Sequence, residues 1–223
     1  MTTDQPEGFR QRRYVAPATA TTVLLVRHGE SAAAQLDESF PMKDGHGDPP
    51  LHEHGHEQAQ QVAERLRHER IDAIYVTTLQ RTHQTAAPLA AALGLTTTVV
   101  PDLREVHLGD WEGGLFRVKA AANDPLFERM HAEQRWDVIP GAEPAHDFRA
   151  RTQRGLRTIV AAHPGGRVVA VVHGGVIGDL MAVASGGNGF AFNSSDNASI
   201  GELVVDGERQ VVRRFNDTAH LYG

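Results

Sequence analysis

Apolar residues along this chain follow two periods. Short continuous runs, Val23-Leu24-Leu25-Val26 and Val168-Val169-Ala170-Val171-Val172, are bounded by polar residues and read as fully buried strands. Ile71-Asp72-Ala73-Ile74-Tyr75-Val76 predicts a third strand and 96–100 a fourth. Between strands the period becomes helical. Ala59, Val62, Ala63 and Leu66 predict a helix over 53–68. Another starts near Thr77, a residue suited to cap it, continues through 84–93 and stops at Gly94. Pro88 predicts a kink or break within it. Segments 118–135 and 145–162 also read as helices, and a helical pattern resumes at Val176. Segments 199–205 and 210–215 flank Asp206-Gly207 and predict a hairpin. The stretch 32–50 reads as a loop. Strands alternating with helices predict an α/β fold with a mostly parallel central sheet.

What stands at the strand ends changes the picture. The first run leads into Arg27-His28-Gly29-Glu30-Ser31. A guanidinium fork donates paired hydrogen bonds to phosphoryl oxygens, and an imidazole can attack phosphorus or move a proton. By itself so short a motif also fits a strand end with two solvated polar residues. The third strand candidate, however, runs into Thr77-Thr78-Leu79-Gln80-Arg81, and the last apolar run into His173-Gly174-Gly175. Parallel strands in open sheets bind ligands outside their carboxyl ends. Three strands therefore bring Arg or His to one edge, where helix N-termini also favour an anion.

These residues, in this order, resemble the histidine phosphatase superfamily, which includes phosphoglycerate mutase-like enzymes. The resemblance runs from about Val23 to the C-terminus. It rests on Leu25 to Ser31, Asp48-Pro49-Pro50-Leu51 with Gly55 and Gln58-Ala59, and Leu79 and Arg81 with Gln84-Thr85-Ala86. Leu103-Arg104-Glu105, Gly109-Asp110-Trp111-Glu112-Gly113, Pro140-Gly141-Ala142-Glu143, Val172 to Gly175 and Asn216 to Leu221 complete it. It implies a three-layer α/β/α sandwich, phosphoglycerate mutase-like, with a lid or insert at about 113–150. It implies His28 as nucleophile, helped by Arg27 and Arg81, whose charges lower its pKa. Arg27, Arg81 and His173 would hold the phosphoryl group, with Ser31 and Gly174 also binding substrate. Gly174 and Gly175 allow close backbone approach. Glu105 matches the proton donor; nearby Glu112 is expected to stabilise its loop, and Glu30 to lie behind the site.

Two departures qualify the match. Where the family often carries an asparagine whose amide touches phosphate, the stretch here is Ala32-Ala33-Ala34, leaving Gln35 or Ser31 as substitutes. The basic insert of the mutase branch is missing between Gly113 and Pro140. Leu115, Phe116, Leu126, Phe127, Met130 and Trp136 stand there instead, some as core and others suited to a less charged leaving group. The expectation is thus a phosphomonoesterase acting on a small-molecule phosphate ester without cofactor or metal. The alternatives are a phosphoglycerate mutase-type transferase and a non-catalytic binding member of the fold.

Composition narrows the setting. The 223 residues suit one α/β domain over 21–223 after a flexible N-terminal arm, 1–20, that carries Arg10, Arg12 and Arg13. Cysteine is absent, which removes thiolate chemistry and disulfides. The net charge of −6 advertises neither nucleic acid nor a membrane surface. With no signal core and no apolar run of spanning length, a cytoplasmic location is expected. The oligomeric state stays open, a homo-oligomer included. A competing motif is His52-Glu53-His54-Gly55-His56, which satisfies the zinc-protease pattern H-E-x-x-H, with His46 and Asp48 as further candidate ligands. Gly55 weakens the turn such ligands need, so a solvated histidine cluster at a helix start is favoured.

Overall fold

The computed structural model describes Phe9 and residues 11–222. In chain order the elements are β1 (Thr21–Arg27), β2 (Met42–Lys43), β3 (His46–Gly47), α1 (Glu53–Leu66), β4 (Ala73–Val76), α2 (Gln80–Leu93) and β5 (Thr97–Val99). There follow α3 (Leu115–Ala121), α4 (Pro125–Glu133), α5 (Ala145–Ala162), β6 (Arg167–Val172), α6 (Gly174–Ser185), β7 (Ile200–Asp206) and β8 (Arg209–Asp217). The six-stranded sheet has the order β5-β4-β6-β1-β7-β8. β5, β4, β6 and β1 run parallel; β7 is antiparallel to β1 and β8 to β7.

Alternation along β1 builds three layers. Val23 and Leu25 face one side and pack with Phe148, Leu156 and Ile159 of α5 and Ile177 and Leu180 of α6. Leu24 and Val26 face the other and pack with Val62 and Leu66 of α1 and Ala86 and Leu89 of α2. Each fully buried leucine among them contributes about 1.5–3 kcal/mol by leaving water. A smaller, partly aromatic cluster packs Trp111 and Met130 with Phe116, Phe127 and Trp136.

Several local expectations need correction. The helix expected over 118–135 is two helices. Asn123 takes φ 49°, and Asp124 restarts the chain by accepting from Leu126 N at 2.9 Å, with Pro125 as the first helical residue. Helix α2 runs unbroken through Pro88 and ends at Gly94, φ 64°. The loop 32–50 holds the two-stranded pair β2–β3. Helix α6 starts at Gly174 rather than Val176. Of the expected mobile arm, residues 1–8 and Arg10 lie outside the described residues. Beyond them, Tyr14 lies under the Arg213 guanidinium and Thr19 Oγ1 donates to Asp206 Oδ1 at 2.9 Å. Among the described residues no helix is long and apolar enough to cross a membrane.

Candidate active site

Parallel β1, β4 and β6 leave the sheet at one edge, and that edge carries the chemistry. β1 delivers His28, whose N–H bonds to Val172 O at 3.0 Å and so stitches the β1 and β6 exits together. Helix α1 begins against the same loop. A Cβ on Gly55 would lie 2.0 Å from Glu30 O, so only glycine permits this approach. Thr85 Oγ1 and Gln58 Oε1 accept from the N–H groups of Gly29 and Glu30 at 3.0 and 2.8 Å.

Arg81 arrives on the first turn of α2, but Thr77 does not cap that helix. Asp48 Oδ1 accepts from Gln80 N at 2.8 Å and sits 3.8 Å from the Arg81 guanidinium. The Thr77 hydroxyl instead lies 3.0 Å from His173 Nε2.

His28 is 7% exposed. Its Nδ1 lies 2.7 Å from Gly29 O, which assigns the proton to Nδ1 and leaves the Nε2 lone pair free to receive a bond from Arg81 Nε at 3.2 Å. Burial first, then the charges of Arg81 and Arg27, hold the ring well below the ordinary histidine pKa. The ring is neutral at neutral pH, the form a nucleophile requires. His173 is fully buried with its ring centroid 5.2 Å away, and burial and Arg81 likewise push its pKa well down.

The Thr77 hydroxyl sits against His173 Nε2, and among the described residues neither His173 Nδ1 nor the buried Arg27 Nε has a partner. Arg27 Nη1 donates to Ser195 O. An unmet buried donor such as Arg27 Nε costs about 1–3 kcal/mol, so the cradle favours an anionic acceptor. Burial also lowers the pKa of Arg27 and brings that of Arg81 down to about 10.

Both oxygens of Glu105 accept backbone N–H groups, from Val106 at 3.0 Å and from Gly175 at 3.1 Å. Arg151 clamps its loop, donating to the carbonyls of Asp102, Arg104 and Glu105 at 2.9, 2.6 and 2.7 Å and pairing with Glu143 at 2.7 Å. Glu112 braces the loop as expected: it accepts from Leu108 N at 2.9 Å and Gly47 N at 2.7 Å.

Two openings meet here. A cleft of about 280 Å³ is lined by Arg27, His28, Arg81, Glu105 and the aromatic wall Phe40, Trp111, Phe116 and Trp136. A groove of about 690 Å³ continues past Glu30, Ser31, Ala33, Ala34, Arg117 and Asn197. The fold thus gathers Arg27, His28, Arg81, Glu105, His173 and Gly174, the last with its Cβ position 3.5 Å from Arg27 Nε. Ser31 is present, but its hydroxyl accepts from Arg117 Nη2 at 2.6 Å. Glu30 is exposed and makes no ion pair among the described residues. The histidine cluster separates. His52 caps α1 by accepting from His54 N at 3.2 Å, and His54 lies 3.0 Å from Glu57. His46 is buried apart from them, 3.2 Å from Glu105 O. Among the described residues no three His, Asp or Glu side chains gather as metal ligands. Nothing in the sequence marked Arg117, Arg151 or Asn197, whose Nδ2 donates to His28 O at 2.9 Å.

The sequence model of the histidine phosphatase superfamily (branch 1) matches residues 23–218. The chain belongs to the histidine phosphatase superfamily. This phosphatase is 33% identical over 204 residues to phosphoglycerate mutase-like protein 4 of Arabidopsis thaliana, covering 89% of this chain and 86% of that protein. It is 30% identical over 207 residues to the metal-independent phosphoserine phosphatase of the same plant, covering 90% and 83%. Mycobacterial relatives at 34% identity are longer, and the chain spans 56% of their length. Among solved structures, mycobacterial glucosyl-3-phosphoglycerate phosphatase superposes with a TM-score of 0.73 at 28% identity, covering 89% of this chain and 100% of that one.

Proposed function

We propose that this phosphatase hydrolyses a small-molecule phosphate monoester through a phosphohistidine on His28, independently of metal. The observation that carries this is the His28 ring: neutral, its Nδ1 engaged by Gly29 O at 2.7 Å and its Nε2 directed toward Arg81. Arg27, Arg81 and the His173 Nδ1–H take the non-bridging oxygens and neutralise charge as the transition state spreads it. His28 Nε2 attacks phosphorus, the P–O bond to the leaving group breaks on the far side, and Glu105 gives a proton to the departing alkoxide. Water then attacks the phosphohistidine. Glu105 takes up its proton, the N–P bond breaks, and inorganic phosphate leaves with His28 neutral again. Ser31 is a substrate-side residue through its contact with Arg117.

Water is the acceptor in this reading because the segment between Gly113 and Pro140 lacks the basic insert of the mutase branch and puts the aromatic residues Phe116 and Trp136 on the cleft wall. That wall suits a leaving group with apolar surface. A cysteine-free chain fits the cytoplasm.

Rapid quench with labelled substrate tests the reading, after a panel of metabolite phosphates has been screened for phosphate release. Acid-labile, base-stable label should appear on a His28 peptide, and His28→Ala should abolish turnover. Full turnover in His28→Ala, complete loss in chelator, or fast phosphoglycerate interconversion with little free phosphate would each overturn it.

A further inference from the structure

We propose that Arg117 is the third guanidinium of the phosphate cradle: it exchanges resting contacts with Ser31 and Ala32 for an oxygen of the phosphoryl group. The assignment rests on the phosphohydrolase reading above.

The first support is position. Among the described residues, Arg27, His28 and Arg117 alone line both the aromatic cleft and the alanine-lined groove. The phosphoryl group must sit at His28, where the two openings join, and Arg117 is on that junction. Its helix is seated there by Gly114, φ 104°. A Cβ at Gly114 would come within 3.1 Å of the Phe40 ring and 3.2 Å of Ala34 Cβ. The guanidinium then lies 5.3 Å from the Phe40 ring centroid.

The second support is charge. At rest, among the described residues, Arg117 donates only to neutral acceptors, Ser31 Oγ at 2.6 Å and Ala32 O at 2.8 Å. Among the described residues it pairs with no carboxylate, whereas Arg81 has Asp48 at 3.8 Å. Burial, and then the like charge of Arg27, disfavour its ionised form, with only Glu30 opposing them. A dianion between Arg27 and Arg117 relieves that repulsion and supplies charge-assisted acceptors. The third is room. Ala33 and Ala34 put only methyl groups on the groove side, and the groove of about 690 Å³ that they line also touches Arg27, His28 and Arg117. A plain strut tying α3 to the loop after β1 would need none of this placement.

The test compares wild type with Arg117→Ala and Arg117→Lys, using orthovanadate and inorganic phosphate as inhibitors and measuring kcat and KM on one alkyl phosphate. A hydrogen bond to a charged group implies inhibition constants raised about tenfold to a hundredfold in Arg117→Ala, with a matching fall in kcat/KM. Free guanidinium ion at low millimolar concentration should restore part of the loss. Arg117→Lys, which keeps charge but not the fork, should fall between, and it also serves if the alanine variant does not fold. Unchanged vanadate and phosphate constants in both variants would overturn the assignment while leaving the hydrolase standing. So would loss of turnover that guanidinium does not rescue, with vanadate binding intact. A wild-type enzyme indifferent to vanadate and to every phosphate ester would overturn the phosphohydrolase reading and this assignment together.

Discussion

Gly175→Ala should separate the fold from the proton donor. An ideal Cβ at Gly175 would stand 2.5 Å from Glu105 Oε1 and 3.3 Å from its Cδ. Comfortable non-bonded contact lies near 3.5 Å, so the carboxylate must retreat by about 1 Å. Gly175 belongs to α6 and does not have a positive φ, so its backbone accepts alanine. Gly175 is the second residue of α6, so the gain of up to about 1 kcal/mol that alanine has over glycine in a helix interior is only partly realised there. The group that moves is the end of a flexible side chain, so folding should survive. What goes is the 3.1 Å bond from Gly175 N to Glu105 Oε2 and the placement it enforces. Misplacement of about 1 Å can cost about a hundredfold, and general acid catalysis is worth about 10²- to 10⁴-fold. An alkoxide needs the proton as it leaves; a nitrophenolate does not. Hydrolysis of an alkyl phosphate should therefore fall about a hundredfold, and release of nitrophenol by about tenfold at most. The assay is kcat/KM on both substrates beside a thermal melt, with Glu105→Gln as comparator. Wild-type alkyl turnover in Gly175→Ala, or equal losses on both substrates with a native melt, would refute the reasoning. Glu112 would then be the next carboxylate to test.

Stability should decline as pH falls below neutrality. Burial holds His28 and His173 neutral in the fold, so below about pH 6.5 the unfolded chain alone takes up their protons. Their contribution is complete above that pH and drains away toward the folded pKa values, by about 1.4 kcal/mol per pH unit for each group. Denaturant titrations from pH 7 to 5 measure it, and His28→Asn should flatten part of the slope; a pH-independent midpoint contradicts the burial argument. His52→Ala with His56→Ala should leave turnover within a few-fold, while loss of the α1 cap costs about 1 kcal/mol of stability. An activity loss of about a hundredfold without unfolding would return those histidines to the site.

Much of this architecture is written locally. A run such as Val23 to Val26 has few homes other than a strand covered on both faces, and β1 spans it. Helix α5 occupies the predicted 145–162, with Phe148, Thr152, Gly155, Leu156 and Ile159 at helical spacing on its buried face. Once strands and helices alternate, parallel strands must exit at one edge. Order along the chain therefore placed Arg27, His28, Arg81 and His173 together before any contact was known. The family motifs added Glu105. Tertiary structure decided what depends on partners distant in sequence. Asp48 caps α2 from across a loop, so the nearby Thr77 is released to His173. Helix α2 survives Pro88 because Thr85, Ala86 and Leu89 are buried around it, and burial there outweighs one lost hydrogen bond. Apolar periodicity ran through 118–135 although Asn123-Asp124-Pro125 breaks it, since period reports which face is buried and not where the backbone turns. Arg117 and Ser31 meet across 86 positions, and Asn197 and His28 across 169. Side-chain hydrogen bonds of that span leave no periodic trace. They exist only after the strands have paired and the helices have settled on the sheet.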